Sequence, residues 1–263
     1  MNAADTLIQP DLALIHGWGI GKAVWQPLAE ALAPYCRIHL VDLPGYGSAP
    51  PSTASFEQTA QAMLEALPEG TILCGWSLGG ILALQAALLA PQHIGELILI
   101  GSSPSFTQRA DWLHAQPPPL LDAFAAAVSE DPGTTLLRFI ALLNQGDAKP
   151  RAAIRALNDA LSADHCPDTT SLIQGLNWLR DIDLRSQLDS ITVPALLIHG
   201  DKDPLMPLSA AQWLHNALPN SQLEIVPGAA HAPFIHTPER IAELIGDYCH
   251  ASALNQATRP RIV

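Results

Sequence analysis

The sequence is poor in charge. Charged residues make up 14% of its 263 positions, and acidic side chains outnumber basic ones 25 to 13, a net charge of -12. No basic stripe runs along it, which argues against nucleic acid and anionic membrane surfaces as partners. Cysteine is scarce. Cys36, Cys74, Cys166 and Cys249 form no C-x-x-C pair, so neither a zinc ligand set nor a thioredoxin-type redox motif is expected. Long hydrophobic runs are missing too; the longest is too short to span a bilayer. The opening residues Met1-Asn2-Ala3-Ala4-Asp5 lack the basic and apolar regions of a secretion signal. These absences point to a water-soluble, cytoplasmic protein in a reducing compartment. No internal repeat is found.

What the chain does have is apolar mass, 48% of its residues, distributed as short runs. Runs at 12–16, 38–42, 71–75, 97–101, 195–199 and 223–226 each have strand length and end in Gly- or Asp-containing loops. Most are apolar throughout, as strands covered on both faces of a parallel sheet are. Between them lie helical patterns at 25–32, 56–67, 78–89, 210–217 and 238–248. Alternation of this kind predicts a doubly wound α/β sheet. It stops after Gly101. Residues 104–188 show helical patterns broken by prolines (117–119, 132, 150, 167) and no strand, which predicts a helical lid inserted into a core of 1–103 and 189–250. Residues 251–263 read as a frayed tail.

The strongest local signal is Gly75-Trp76-Ser77-Leu78-Gly79-Gly80. It matches G-x-S-x-G, with a strand before and a helix after. A sharp strand-to-helix turn needs small flanking residues and lifts the Ser77 hydroxyl clear of the sheet as a nucleophile. The Leu78 N–H then sits at a helix N-terminus, where it can stabilise developing negative charge. His16-Gly17-Trp18-Gly19 follows the first strand, and the Trp18 N–H is the expected second oxyanion donor. His16 precedes Ser77 and ends a strand, so it reads as structural.

The base should lie near the C-terminus and the acid between it and the serine. His231, among the small residues of Gly228-Ala229-Ala230-His231-Ala232-Pro233-Phe234, is the candidate base; His199 and His236 read as structural. Asp201 and Asp203 are both candidates for the acid. Asp203 is favoured because it lies farther from the strand end, whereas Asp201 suits a turn cap. The segment Asp42-Leu43-Pro44-Gly45-Tyr46-Gly47-Ser48 reads as a structural turn.

With these residues in place, the chain resembles the α/β hydrolases over nearly its whole length. More narrowly it resembles the pimeloyl-[acyl-carrier-protein] methyl ester esterases of biotin biosynthesis. The resembling stretches are 14–19, 39–47, 75–80, Ser102-Ser103-Pro104, Arg138-Phe139 and 229–235. The resemblance implies a serine carboxylesterase that needs no metal or organic cofactor. Its acyl group would lie against Trp76 and the segment Phe139, Ile140, Ala141, Leu142 and Leu143. It further implies that Arg138, Arg151 and Arg155 hold an acidic acyl-carrier protein. Residues 133–158 carry Arg138, Lys149, Arg151 and Arg155 against Asp147 alone, a local +3 that could steer such a partner. Leu142, four positions after Arg138, is apolar where the family can carry a basic residue. A monomer is expected. The rival readings are a short-chain carboxylesterase, a C–C bond hydrolase and a non-catalytic ligand-binding relative.

Overall fold

The computed structural model describes residues 9–164 and 167–257, for 251–257 the backbone only. Cys166 and the residues before 9 and after 257 lie outside that range. Six parallel strands form one sheet in the order β2-β1-β3-β4-β5-β6. They are β1 (Asp11–Ile15), β2 (Arg37–Val41), β3 (Thr71–Trp76), β4 (Ile94–Ile100), β5 (Ala195–Gly200) and β6 (Ser221–Val226). β3 and β5 are buried at every position, whereas the edge strand β6 alternates between half-buried and exposed residues. The apolar runs therefore mark the interior strands, as burial on both faces requires.

Helices α1 (Gln26–Leu32), α2 (Phe56–Glu65), α3 (Leu78–Leu89), α8 (Leu208–Ala217) and α9 (Pro238–Ala257) flank the sheet. Ser55 starts α2 with a reciprocal cap: its hydroxyl accepts the Gln58 N–H at 3.1 Å, and the Gln58 side chain accepts the Ser55 N–H at 2.9 Å. α3 is apolar on every side and is buried from Leu78 through Leu84. α9 continues to Ala257, nine residues beyond the helix expected from sequence, so 251–257, expected as part of the tail, is helical. Only 258–263 of that expected tail fall outside the described residues.

Between β4 and β5 lie α4 (Pro118–Glu130), α5 (Pro132–Leu143), α6 (Pro150–Ala163) and α7 (Thr169–Asp181). Three of the prolines that interrupt the sequence pattern here open helices. Pro118, Pro132 and Pro150 each occupy the first helical position, where a missing N–H costs nothing. Among the described residues no helix is long and apolar enough to cross a membrane.

The strand order reverses beside β1. From β1 the chain moves outward to β2, then crosses back to β3 and continues the other way. The crevice at such a switch point, beyond the carboxyl ends of the strands, is where open α/β sheets bind ligands. The loops after β1 and β3 border it here, and they carry Trp18 and Ser77.

Candidate active site

Ser77 joins β3 to α3 with φ of 56° and ψ of -119°, and it is the one non-glycine residue with positive φ among the described residues. Such a conformation costs about 1–3 kcal/mol and persists only where its surroundings enforce it. They do so with four hydrogen bonds. The Ser77 N–H donates to the Ile100 carbonyl at 3.0 Å. The Ser77 carbonyl accepts from the Gly80 N–H at 3.0 Å, the Ile81 N–H at 3.2 Å and the Ser102 hydroxyl at 3.0 Å. The glycines make room. A Cβ on Gly75 would fall inside the Gly79 carbonyl, and one on Gly79 would enter the Ile15 backbone. A Cβ on Gly17 would lie 3.2 Å from Ser77 Cβ, so the loop after β1 passes directly over the serine.

That loop is fixed from behind. The Leu43 N–H donates to His16 Nε2 at 3.0 Å, so Nε2 is an acceptor and the proton sits on Nδ1, which donates to the Gly17 carbonyl at 2.8 Å. The Gly19 N–H donates to the Tyr46 hydroxyl at 3.0 Å. Asp42 accepts from the Ser48 N–H and pairs with Lys22 at 2.7 Å. Among the described residues, neither the Trp18 backbone N–H nor the Leu78 backbone N–H donates to a protein group. Leu78 is the first residue of α3, where helix geometry leaves N–H groups free.

Burial pushes the His16 pKa down from 6.5 to about 4. The neutral ring is therefore the folded form, in agreement with its hydrogen bonds. Between pH 6.5 and 4 the unfolded chain binds a proton that the folded chain refuses, so stability falls with falling pH across that window. The full loss is about 3 kcal/mol, with about 2 kcal/mol gone by pH 5. Urea midpoints at pH 7.5 and 5 measure it. His16→Asn should be less stable than wild type at pH 7.5 but lose less between the two values.

Asp203 and His231 come from the loops after β5 and β6. His231 Nδ1 lies 2.8 Å from Asp203 Oδ2. Asp203 Oδ1 accepts the Leu205 and Met206 N–H groups, each at 2.9 Å. Burial alone would push this carboxyl up, but His231, His199 and the Met206 amide outweigh it and leave Asp203 below the ordinary carboxylate range. An ionised carboxylate only accepts, so Nδ1 of His231 carries a proton, and in the neutral ring Nε2 is then the acceptor. His231 Nε2 is buried and has no hydrogen-bond partner among the described residues. Its ring lies 5.6 Å from that of Trp76, the residue before Ser77, and Trp76 Nε1 donates to the His231 carbonyl at 2.9 Å.

Asp201 and His199 are hydrogen-bonded elsewhere, and His236 sits beside another carboxylate. Asp201 accepts the Gly228 N–H at 2.6 Å, so it caps the following loop rather than its own turn. His199 Nε2 donates to the Met206 carbonyl at 2.7 Å, and burial lowers its pKa. His236 Nε2 lies 2.7 Å from Asp147.

An apolar cavity of about 20 Å³ adjoins the site, lined by Trp18 and Leu205 and roofed by Phe124 of α4, Phe139 of α5 and Leu176 of α7. The Trp18 ring packs edge-on against Phe139 at 4.9 Å and donates through Nε1 to the Leu172 carbonyl at 2.8 Å. The expectation that residues 139–143 all line an acyl channel is corrected here. Phe139, Ile140 and Leu143 are buried, Leu142 is half-buried, and Ala141 is exposed. Five consecutive helical residues sweep more than one full turn, so they cannot share a face. Arg138, Arg151 and Arg155 are all exposed.

Residues 11–238 match a family model described as the alpha/beta hydrolase fold. A pimeloyl-[acyl-carrier protein] methyl ester esterase of Vibrio vulnificus is 42% identical over 242 residues, covering 92% of this chain and 92% of its own. One of the same name from Aromatoleum aromaticum is 41% identical, covering 91% and 98%. The chain belongs to the pimeloyl-[acyl-carrier protein] methyl ester esterase family of α/β hydrolases. Among solved structures, an esterase from Exiguobacterium antarcticum superposes on this esterase-family chain with a TM-score of 0.81 at 27% identity, covering 91% of each.

Sequence reasoning missed two groups in this family member's site. Ser102 stood only as part of a resembling stretch, and its hydroxyl proves to bind the Ser77 carbonyl. Asp147 was counted only as a charge. It lies 83 positions from its partner Ala230, and no local pattern reports such a contact.

Proposed function

We propose that the protein is a serine esterase that removes the methyl ester from a pimeloyl group carried on acyl-carrier protein. One observation carries the reading: the buried, unpartnered His231 Nε2, whose tautomer Asp203 sets, on the loop packed against the Ser77 turn. Ser77 Oγ attacks the ester carbonyl as His231 Nε2 takes its proton. The Trp18 and Leu78 N–H groups hold the tetrahedral oxyanion. His231 then protonates the departing methoxide, and methanol leaves. Water, deprotonated by His231, hydrolyses the acyl-enzyme and frees the carboxylate. No step needs a metal or an organic cofactor.

The apolar lining of the cavity suits an acyl chain, but at about 20 Å³ the cavity has room for about one water, so α4–α7 must move apart to admit the chain. A methyl ester is neutral and enters an apolar site at little cost, whereas the carboxylate product is costly to bury and is released. The carrier protein has a candidate dock. Lys22, Arg37, Arg109, Arg180, Arg185, Lys202 and Arg240 are paired with carboxylates. Arg138, Lys149, Arg151 and Arg155 are not among them. Lys149, Arg151 and Arg155 rim an open cleft of about 370 Å³ at the start of α6. α4–α7 then act as the lid. The proposal also places the enzyme in the cytoplasm, where the buried thiols of Cys36, Cys74 and Cys249 stay reduced.

Purified protein should release methanol from pimeloyl-carrier methyl ester, and Ser77→Ala should not. Reversing Arg138, Arg151 and Arg155 to Glu should lower kcat/KM on the carrier-bound ester about 10-fold or more by slowing association, and leave free dimethyl pimelate unaffected. Equal loss on both substrates would remove the carrier-protein dock from the proposal.

A further inference from the structure

The corner joining α5 to α6 grips the loop that carries His231. The Asp147 side chain there is 2% exposed. Its Oδ2 accepts the N–H of Ala230, the residue before His231, at 2.9 Å. Its Oδ1 accepts the Lys149 N–H at 2.7 Å and lies 2.7 Å from His236 Nε2. Two backbone bonds flank this grip: Ala148 N–H to the Gly228 carbonyl at 2.8 Å, and His231 N–H to the Leu143 carbonyl at 3.2 Å. Gly228, Ala230 and His231 are thereby hydrogen-bonded to the helical insertion, and His236 stands beside it at Asp147.

We infer that Asp147 is a positioning residue for His231, holding the imidazole in register with Ser77 through the backbone of Ala230, in addition to the Asp203 hydrogen bond. The inference rests on the reading of His231 as the base. The loop cannot hold itself. Ala229, Ala230 and Ala232 carry no polar side chain, and Gly228 has φ of 73°, a conformation that gives no stiffness of its own. Asp203 fixes the ring through one atom, Nδ1, and a single hydrogen bond lets the ring pivot. The Ala230 bond removes that freedom one residue away. Without it the Ala230 N–H is buried and unsatisfied, since Ala230 is 0% exposed, and the loop must shift to satisfy it. A displacement of about 1 Å at a reacting group can cost about 100-fold in rate.

The test uses the full chain and hydrolysis of p-nitrophenyl butyrate. Asp147→Ala should lower kcat by about 10- to 100-fold with KM within about 2-fold of wild type, because Asp147 does not line the acyl cavity. Asp147→Asn keeps an acceptor for the Ala230 N–H and should restore kcat to within a few-fold. The downfield proton resonance of the His231–Asp203 hydrogen bond should move in Asp147→Ala and return in Asp147→Asn. Should Asp147→Ala fail to fold, Asp147→Ser carries the same expectation, since its hydroxyl is one atom too short to reach Ala230. A folded Asp147→Ala or Asp147→Ser with wild-type kcat overturns the inference. So does a loss that Asp147→Asn does not restore, with the proton resonance unmoved. A wild type whose turnover does not depend on Ser77 overturns the reading of the site instead.

Discussion

Ser77→Ala is expected to abolish ester hydrolysis, lowering kcat/KM about 10⁴-fold or more. In the proposed mechanism the hydroxyl is the atom that becomes bonded to the acyl group, and none of its neighbours can replace it. Asp203→Asn should cost as much by another route. The amide would present an N–H to His231 Nδ1, so the imidazole proton would move to Nε2, and the atom that must accept the Ser77 proton would carry one already. Because the residues act as one unit, the double variant should be no slower than either single one. Ser77→Gly separates activity from strain. It should be as inactive as Ser77→Ala, yet about 1 kcal/mol more stable, since glycine adopts φ of 56° without penalty. Active-site titration with a fluorophosphonate and urea midpoints give both readings. Activity surviving in Ser77→Ala would remove the serine from the mechanism.

The largest stability effect is expected from Gly79→Ala. In most helices this change stabilises by up to about 1 kcal/mol. Here the added Cβ would enter the Ile15 backbone and come within 2.6 Å of the His16 carbonyl. Neither atom belongs to a side chain that could turn aside. α3 would have to lift off β1, carrying Ser77 and the Leu78 N–H with it. A loss of about 3 kcal/mol or more is expected, which is about 10 °C in Tm for a domain of this size. Gly75→Ala meets the Gly79 carbonyl and should rank with it. Gly80→Ala meets the Ser102 hydroxyl at 2.5 Å and Ser102 Cβ at 2.6 Å; rotation moves the hydroxyl but not Cβ, so its cost should also be large. Gly70→Ala meets nothing within 4 Å and carries only the penalty of φ at 77°. An equal loss at all four sites would show that backbone entropy, not packing, sets the cost.

Local chemistry was legible in the sequence. Interior strands are apolar runs because both faces are covered, and all six lie within a few residues of the expected positions. The turn around Ser77 stood out because only small residues fit a chain that reverses so sharply. Prolines 118, 132 and 150 were seen as punctuation, though sequence showed only that a helix could not run through them, not that each begins one.

What the sequence by itself determined is therefore the α/β alternation, the helical pattern between β4 and β5 and a short set of candidate residues for the chemistry, since these follow from properties a residue shares with its near neighbours. Only the tertiary structure decided which aspartate meets His231, which of residues 139–143 face inward, and that Asp147 grips the His231 loop. Each of these is set by contacts across tens of residues. There the directions of hydrogen-bond donors and acceptors in space, and not the order of residues along the chain, choose the partner.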